Sequence, residues 1–315
     1  MKKMIKCIKF CFLSSLLFFT LGCGGGDAIQ ETATRGNIHV GVEDAFRLVI
    51  EAEIYSFEAA YKYAKINPVF SSEGALLQHL LEDSVRGIII SRELTSDEEK
   101  MLNAVKVIPK TTKIAYDGVA LVSNPIFSDS NLTFNQIKKI FSGEAKVWMD
   151  VIPGGTNDSI RIVFDSPKSG NARFIREVFG LDELPKSCFA VNSNQEVISY
   201  VEKNKSAIGL IGSNWISDPQ DTVSHKFLSK IKVMGISSSK DPNGVSGFFK
   251  PYQGYLADGS YPFKRAVFYI SREAGTRLGT GFAAFLAGDI GQRIILKAGL
   301  VPATVPVRLV NISSE

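Results

Sequence analysis

Short runs of β-branched residues alternate with segments of helical periodicity through the first third of the chain. No other feature constrains the fold as much. Residues 37–42 read as a first strand, 66–70 as a second and the fully apolar 87–90 as a third. Between them Phe46, Leu48, Val49, Ile54 and Phe57, then Leu76, Leu77, Leu80 and Leu81, recur at helical spacing, and a charged helix is predicted from Thr95. Such alternation implies a parallel, doubly wound α/β sheet. Ligands of such sheets sit outside the carboxyl ends of the strands. Those ends are residues 43–46, Ser71-Ser72 and Ser91-Arg92.

A second βα half follows. Residues 114–122 are predicted to be a turn followed by a strand, and Leu132-Thr133 caps a helix through Ile137, Ile140 and Phe141. The stretch from Asp165 to Gly180 is the most informative in the chain. A short strand over 160–164 ends in Asp-Ser-Pro, and Ala172, Phe174, Ile175, Val178 and Phe179 then recur at helical spacing. Ser169 stands where an N-cap belongs and Gly180 where a C′ residue belongs. The first N–H groups of such a helix lack intrahelical partners and carry the positive end of its dipole. Gly170 has no side chain to keep a ligand away, so the helix start can hold an anion or can simply be a cap. A helix over 194–203, a buried strand over 207–212, turns from 237 to 261, a strand over 266–270 and closing helices over 280–286 and 290–297 complete the reading.

The chain has 315 residues, which suits two lobes. Residues 1–9 are basic and 10–21 are uncharged and mostly apolar, a run too short to span a bilayer but suited to a secretory leader. Leu21-Gly22-Cys23 is similar to a bacterial lipobox, with Cys23 as the lipidated N-terminus; an ordinary secretory cut between Gly22 and Gly26 is the alternative. Removing the leader takes Lys2, Lys3, Lys6 and Lys9 from the 36 basic residues and leaves 32 against 32 acidic ones. The mature protein is then near neutral, with no basic run or aromatic-basic interleaving for a nucleic acid. Cys7 and Cys11 leave with the leader, and Cys188 stands alone, so no disulfide is expected. His39, His79 and His225 are too scattered for a metal site, and no activated nucleophile is in view, so neither a cofactor nor an enzymatic activity is expected.

The order of these pieces resembles the phosphate-binding subunits of phosphate ABC transporters, which are two-lobed type II periplasmic binding proteins, secreted or lipid-anchored. The lipobox, residues 117–124, 132–148, 165–171, 207–212 and 278–303 carry the likeness, which covers nearly all of 36–309. It implies orthophosphate held between the lobes by helix N-termini, hydroxyls, an Arg and an Asp. The family's Ser-Gly-Thr helix start falls on Ser169, Gly170 and Asn171, its serine loop on Ser71 and Ser72, and its first-strand hydroxyl and Phe on Ala45 and Phe46. Its Arg position holds Asp165, and its Asp position falls on Ser91 or Arg92, so acid and base are exchanged between the lobes. Arg92 would then supply the main positive charge, with Lys168 or Arg173 as substitutes. Asp165, if ionised, would accept the proton of the ligand and reject sulfate. The resemblance further implies a leader over 1–22, a tether over 23–36, one lobe from 37–112 and 259–315, the other from 113–258, and hinge strands near Thr112 and Tyr261. It implies a monomer in the cell envelope, lipid-anchored to a membrane, with a permease in the cytoplasmic membrane as partner. Another oxyanion as ligand, or a sensory or structural lipoprotein working through protein contacts, are the other readings.

Overall fold

Strand β1 (Arg35–Glu43) lies between β2 (Tyr63–Ser71) and β3 (Gly87–Ile90) and is parallel to both. The computed structural model describes residues 31–217 and 222–307, with the side chains of 222–224 excepted; the expected leader and Cys23 lie outside the described residues. The expected tether ends sooner than 36, because β1 already pairs with β2 from Arg35. Pro68 sits within β2, which is tolerated because β2 is the edge strand of its sheet and the missing N–H costs no ladder bond.

Helix α1 (Arg47–Ala60) turns Val49, Ile50, Ile54 and Phe57 inward. The Phe57 ring meets Phe282 and Phe285 edge-on at 5.3 and 5.2 Å. These two belong to α7 (Leu278–Ala287), which with α8 (Asp289–Lys297) closes the core of the first half. On the sheet's other face lie α2 (Glu73–Leu81) and α3 (Ser96–Ala104), the latter started by a capping box between Thr95 and Glu98.

The chain enters the second half along one 14-residue strand, β4 (Lys110–Ser123). Here the turn expected at the start of 114–122 does not form. Asp117 is buried against Arg265, which cancels its charge, and Gly118 faces Leu256 and Pro251 so closely that a Cβ would lie 2.9 Å from the Leu256 side chain. Turn-forming residues thus remain extended because tertiary contacts need them that way. Beyond β4 come α4 (Phe134–Ser142), β5 (Arg161–Phe164), α5 (Gly170–Phe179), β6 (Cys188–Ala190), α6 (Asn194–Lys203) and β7 (Ala207–Gly212), and then β8 (Lys264–Ser271).

The main sheet runs β2-β1-β3-β8-β4-β7-β5-β6. β8 is antiparallel to β3 and β4, β4 is antiparallel to β7, and the flanking strands are parallel. The first portion of β4 pairs with β8, and its last portion, Val119–Ser123, pairs with β7. β4 therefore leaves one half and enters the other without a break, and the boundary expected at 112 falls inside it. The two halves carry separate cores, one around Phe46, Phe57 and Tyr269, the other around Phe141, Trp148 and Phe263. This is the two-lobed α/β fold with the carboxyl ends of both sets of parallel strands turned toward one cleft. Among the described residues no helix is long and apolar enough to cross a membrane.

Candidate functional site

Ser169 starts α5 as its sequence suggests. Its hydroxyl accepts from the N–H of Ala172 at 3.2 Å, and Gly180 ends the helix in the left-handed region at φ 63°. What faces the helix start is an acid from the other half. Glu43, the last residue of β1, places Oε1 2.9 Å from the backbone N of Gly170, which donates to it. Glu43 is 0% exposed, and its Oε2 has no partner. A methyl group on Gly170 would overlap both the Glu43 carboxylate and the Ser91 hydroxyl, so Gly is required for this approach. The next acid, Asp44, does the same at α6: its Oδ2 accepts from the N–H and side-chain amide of Asn194 at 2.7 and 2.9 Å. Two adjacent carboxylates of one half thus rest on two helix N-termini of the other, where dipole and unpaired N–H groups favour negative charge.

Two arginines complete this centre. Arg265 of β8 pairs with Asp117 at 2.9 Å, with both side chains out of water, and reaches the Ser91 hydroxyl at 3.3 Å. Its guanidinium lies 5.3 Å from the Phe46 ring centre. Arg173 of α5 crosses to the first half, bonding Glu73 at 2.9 Å and the Ser91 hydroxyl at 3.1 Å. Burial alone would lower Arg173, but the Glu73 and Glu177 carboxylates outweigh it and raise it.

Arg92 meets this centre only through Glu73, whose Oε1 it shares with Arg173. Its guanidinium is spent on Glu73 at 2.9 Å and, two-pronged, on both oxygens of Glu98 at 2.7 Å, all within its own half. Lys168 meets the first half through its backbone, its carbonyl accepting from Gly74 N at 3.4 Å. Ala45 offers its backbone rather than a side chain: its carbonyl accepts from Asn214 Nδ2 and Trp215 Nε1 at 2.5 and 3.1 Å. Ser71, Ser72 and Asp165 lie together beside the centre. They line a cavity of about 240 Å³ with Asp44, Arg47, Phe70 and Asn192, drawn from both halves. Asn171 turns its amide to Asp165 at 2.9 Å and leaves its own buried carbonyl oxygen without a partner. Among the predicted residues, then, Phe46, Ser91, Ser169 and Gly170 converge on one buried centre, Ser71, Ser72 and Asp165 on the cavity beside it, and Asn171 joins the two.

Burial pushes the Glu43 carboxyl up to about 7; Arg265 and Arg173 oppose the rise, and Glu73 and Asp165 add to it. Asp165 is pushed up to about 6, again first by burial, against the hydrogen bonds from Asn171 and Ser169. Sequence reasoning points at the strand end containing Glu43 but not at Glu43, because the resemblance places the site positions of that strand end on Ala45 and Phe46. It misses Arg265 altogether, since a lone Arg inside a strand carries no motif. Among the described residues no cluster of His, Cys, Asp and Glu could hold a metal ion.

The chain has relatives in sequence and in fold. The phosphate-binding protein PstS of Staphylococcus saprophyticus is 26% identical over 269 residues, spanning 84% of this chain and 79% of that one. PstS of Staphylococcus aureus (strain USA300) is 27% identical over 279 residues, spanning 86% and 80%. In structure, a Clostridium perfringens protein crystallised with bound phosphate superposes with a TM-score of 0.71 at 21% identity, covering 85% of this chain and all of that one. An ABC-type phosphate transport receptor from Vibrio cholerae gives 0.62 at 19% identity, covering 84% and 99%. A family model described as the PBP superfamily domain matches residues 28–289, and the chain belongs to that superfamily.

Proposed function

We propose that this protein binds inorganic phosphate between its two halves and delivers it to an ABC-type permease, acting as a carrier rather than an enzyme. The observation that carries the reading is the Gly170 N–H at the start of α5. It faces across the cleft and already holds a negatively charging group, the Glu43 carboxylate. Ser91, Arg265 and Arg173 stand around the same point and supply the hydroxyl and guanidinium groups an oxyanion needs. The named relatives are phosphate-binding proteins, which favours phosphate over other oxyanions. Asp165 serves as acceptor for a ligand proton, and Ser71 and Ser72 line the way in. Arg265 and Arg173 take the role that sequence alone gives to Arg92. A lipid on Cys23 holds the monomeric carrier to the membrane surface in the envelope.

Calorimetric titration with phosphate, sulfate and arsenate, each with and without EDTA, tests this reading. Phosphate at a hundredfold excess over Kd should stabilise the fold by about 2.7 kcal/mol. Tighter binding of sulfate or arsenate would reassign the ligand. No response to any of the three would leave a lipoprotein that signals through protein contacts.

A further inference from the structure

Resting on the reading of this cleft as an oxyanion site, we propose that Glu43 is a proton-controlled competitor of the ligand. Its carboxylate and the oxyanion contend for the same Gly170 N–H, and the oxyanion takes that place when Glu43 gains a proton.

The geometry makes Glu43 part of the site rather than a neighbour of it. Its Oε1 is 2.9 Å from Gly170 N, at the start of a 10-residue helix. Its Oε2 is buried and unpartnered, and so is Oδ1 of Asn171, the next residue of that helix. A buried carboxylate with one bare oxygen is held at a cost, because no protein group pairs that oxygen. Around it stand Arg265 from β8, Arg173 from α5, Glu73 from the start of α2, Asp165 from the end of β5 and the Ser91 hydroxyl. Neither guanidinium is free to serve Glu43 alone: Asp117 engages Arg265, and Glu73 and Glu177 engage Arg173. An oxyanion at Gly170 brings one more negative charge against Glu43 in a water-poor cleft, where like charges raise a carboxyl further. The proton comes from solvent and ends on the Glu43 carboxyl; no other covalent bond changes, and the Gly170 N–H hydrogen bond passes from Glu43 to the oxyanion. Once protonated, Glu43 is an O–H donor, and the acid that filled the anion's place becomes a group that binds the anion.

Affinity should therefore follow pH through Glu43. Its carboxyl lies near 7, so each pH unit above that value weakens binding tenfold. Phosphate ionises too, and Glu43→Gln separates the two effects, because Gln keeps the shape and an N–H donor but cannot titrate. The experiment is a titration of the full chain with inorganic phosphate at pH 6 and 8.5, in parent and Glu43→Gln. Between these pH values the parent should lose roughly 30-fold more affinity than the variant. Equal losses in the two proteins would overturn the proposal and leave the phosphate reading intact. Absence of phosphate binding in both proteins at both pH values would remove the phosphate reading, and this proposal with it. Carbon-13 NMR of glutamate-labelled parent gives a second measurement that needs no variant. Phosphate should raise the Glu43 carboxyl pKa, and an unchanged or lowered value overturns the proposal.

Discussion

Arg265 and Asp117 meet where the strands of the two halves join, 2.9 Å apart, with side chains 2% and 0% exposed. Arg265 gives Asp117 two hydrogen bonds, from Nε and Nη2, and Ser213 gives it two more from its N–H and hydroxyl. Asp117 is thus an acceptor saturated by donors from both halves. Removing Arg265 leaves its charge buried without a counterion, whereas removing both charges leaves only apolar volume to fill. Arg265→Ala should cost about 3–5 kcal/mol in denaturant unfolding, and Arg265→Met with Asp117→Leu should recover most of it. If the single variant unfolds like the parent, water reaches Asp117 and the pair is not what locks this junction.

Gly170 is a point where the backbone of one half meets a carboxylate of the other. Gly170→Ala adds a methyl group where Glu43 and Ser91 already stand. Either the side chains yield or the halves part slightly. Both routes leave each core intact and spoil the anion centre, so melting should shift little while phosphate affinity falls at least about tenfold, or about 1.4 kcal/mol. Calorimetry beside a thermal melt separates the two; parental affinity in Gly170→Ala would place the ligand elsewhere in the cleft.

Arg173 and Arg92 share Glu73 but differ in reach: Arg173 comes from the opposite half, and Arg92 from the same one. Arg173→Ala should weaken phosphate binding by about 2 kcal/mol or more, as loss of a desolvated cation does. Arg92→Ala should leave affinity within about threefold and instead loosen the start of α3, where Glu98 loses its partner. The reverse ranking of the two dissociation constants would return the leading role to Arg92.

Glu53 on α1 is buried, and neither carboxylate oxygen has a partner. Burial pushes its carboxyl up to about 9 from an ordinary 4.5. The unfolded chain releases this proton near 4.5 and the folded chain keeps it to about 9, so the folded state binds more protons across that window. Stability is full below 4.5 and falls as pH rises through the window. Glu53→Gln should therefore match the parent at pH 4 and exceed it at pH 8, by on the order of 5 kcal/mol. Urea melts at the two pH values check the sign; a variant less stable than the parent at pH 8 would mean that Glu53 is ionised and paired.

Much of this fold is legible in sequence because local and tertiary preferences agree. At Ser169 and Gly180 the cap residues, the apolar spacing and the final packing all favour one helix, and its bounds follow. They disagree at Asp117-Gly118, where local preference is a turn and the partners that hold the strand straight, Arg265 and Leu256, are more than a hundred residues away. The site divides in the same way. Ser91, Ser169 and Gly170 belong to strand ends and helix starts, places where the backbone itself marks a binding edge. Arg265 is the second residue of β8, and only the antiparallel pairing of β8 with β4 brings it to the cleft. Glu43 is not legible because its partner, the Gly170 N–H, lies 127 residues further along the chain.

The passage of β4 through both halves bears on mechanics. No slack loop hangs between them at that crossing; the link is a hydrogen-bonded ribbon, and β8 runs alongside it. A ribbon of this kind bends and twists as an elastic beam does, with a restoring torque and a preferred axis. Its weakest section is already marked, by the register break at Val267 and Phe268, opposite Ala115 and Lys113. Opening should concentrate its curvature there, at small amplitude and along one direction, so that the carrier behaves as a spring clip rather than as two beads on a string.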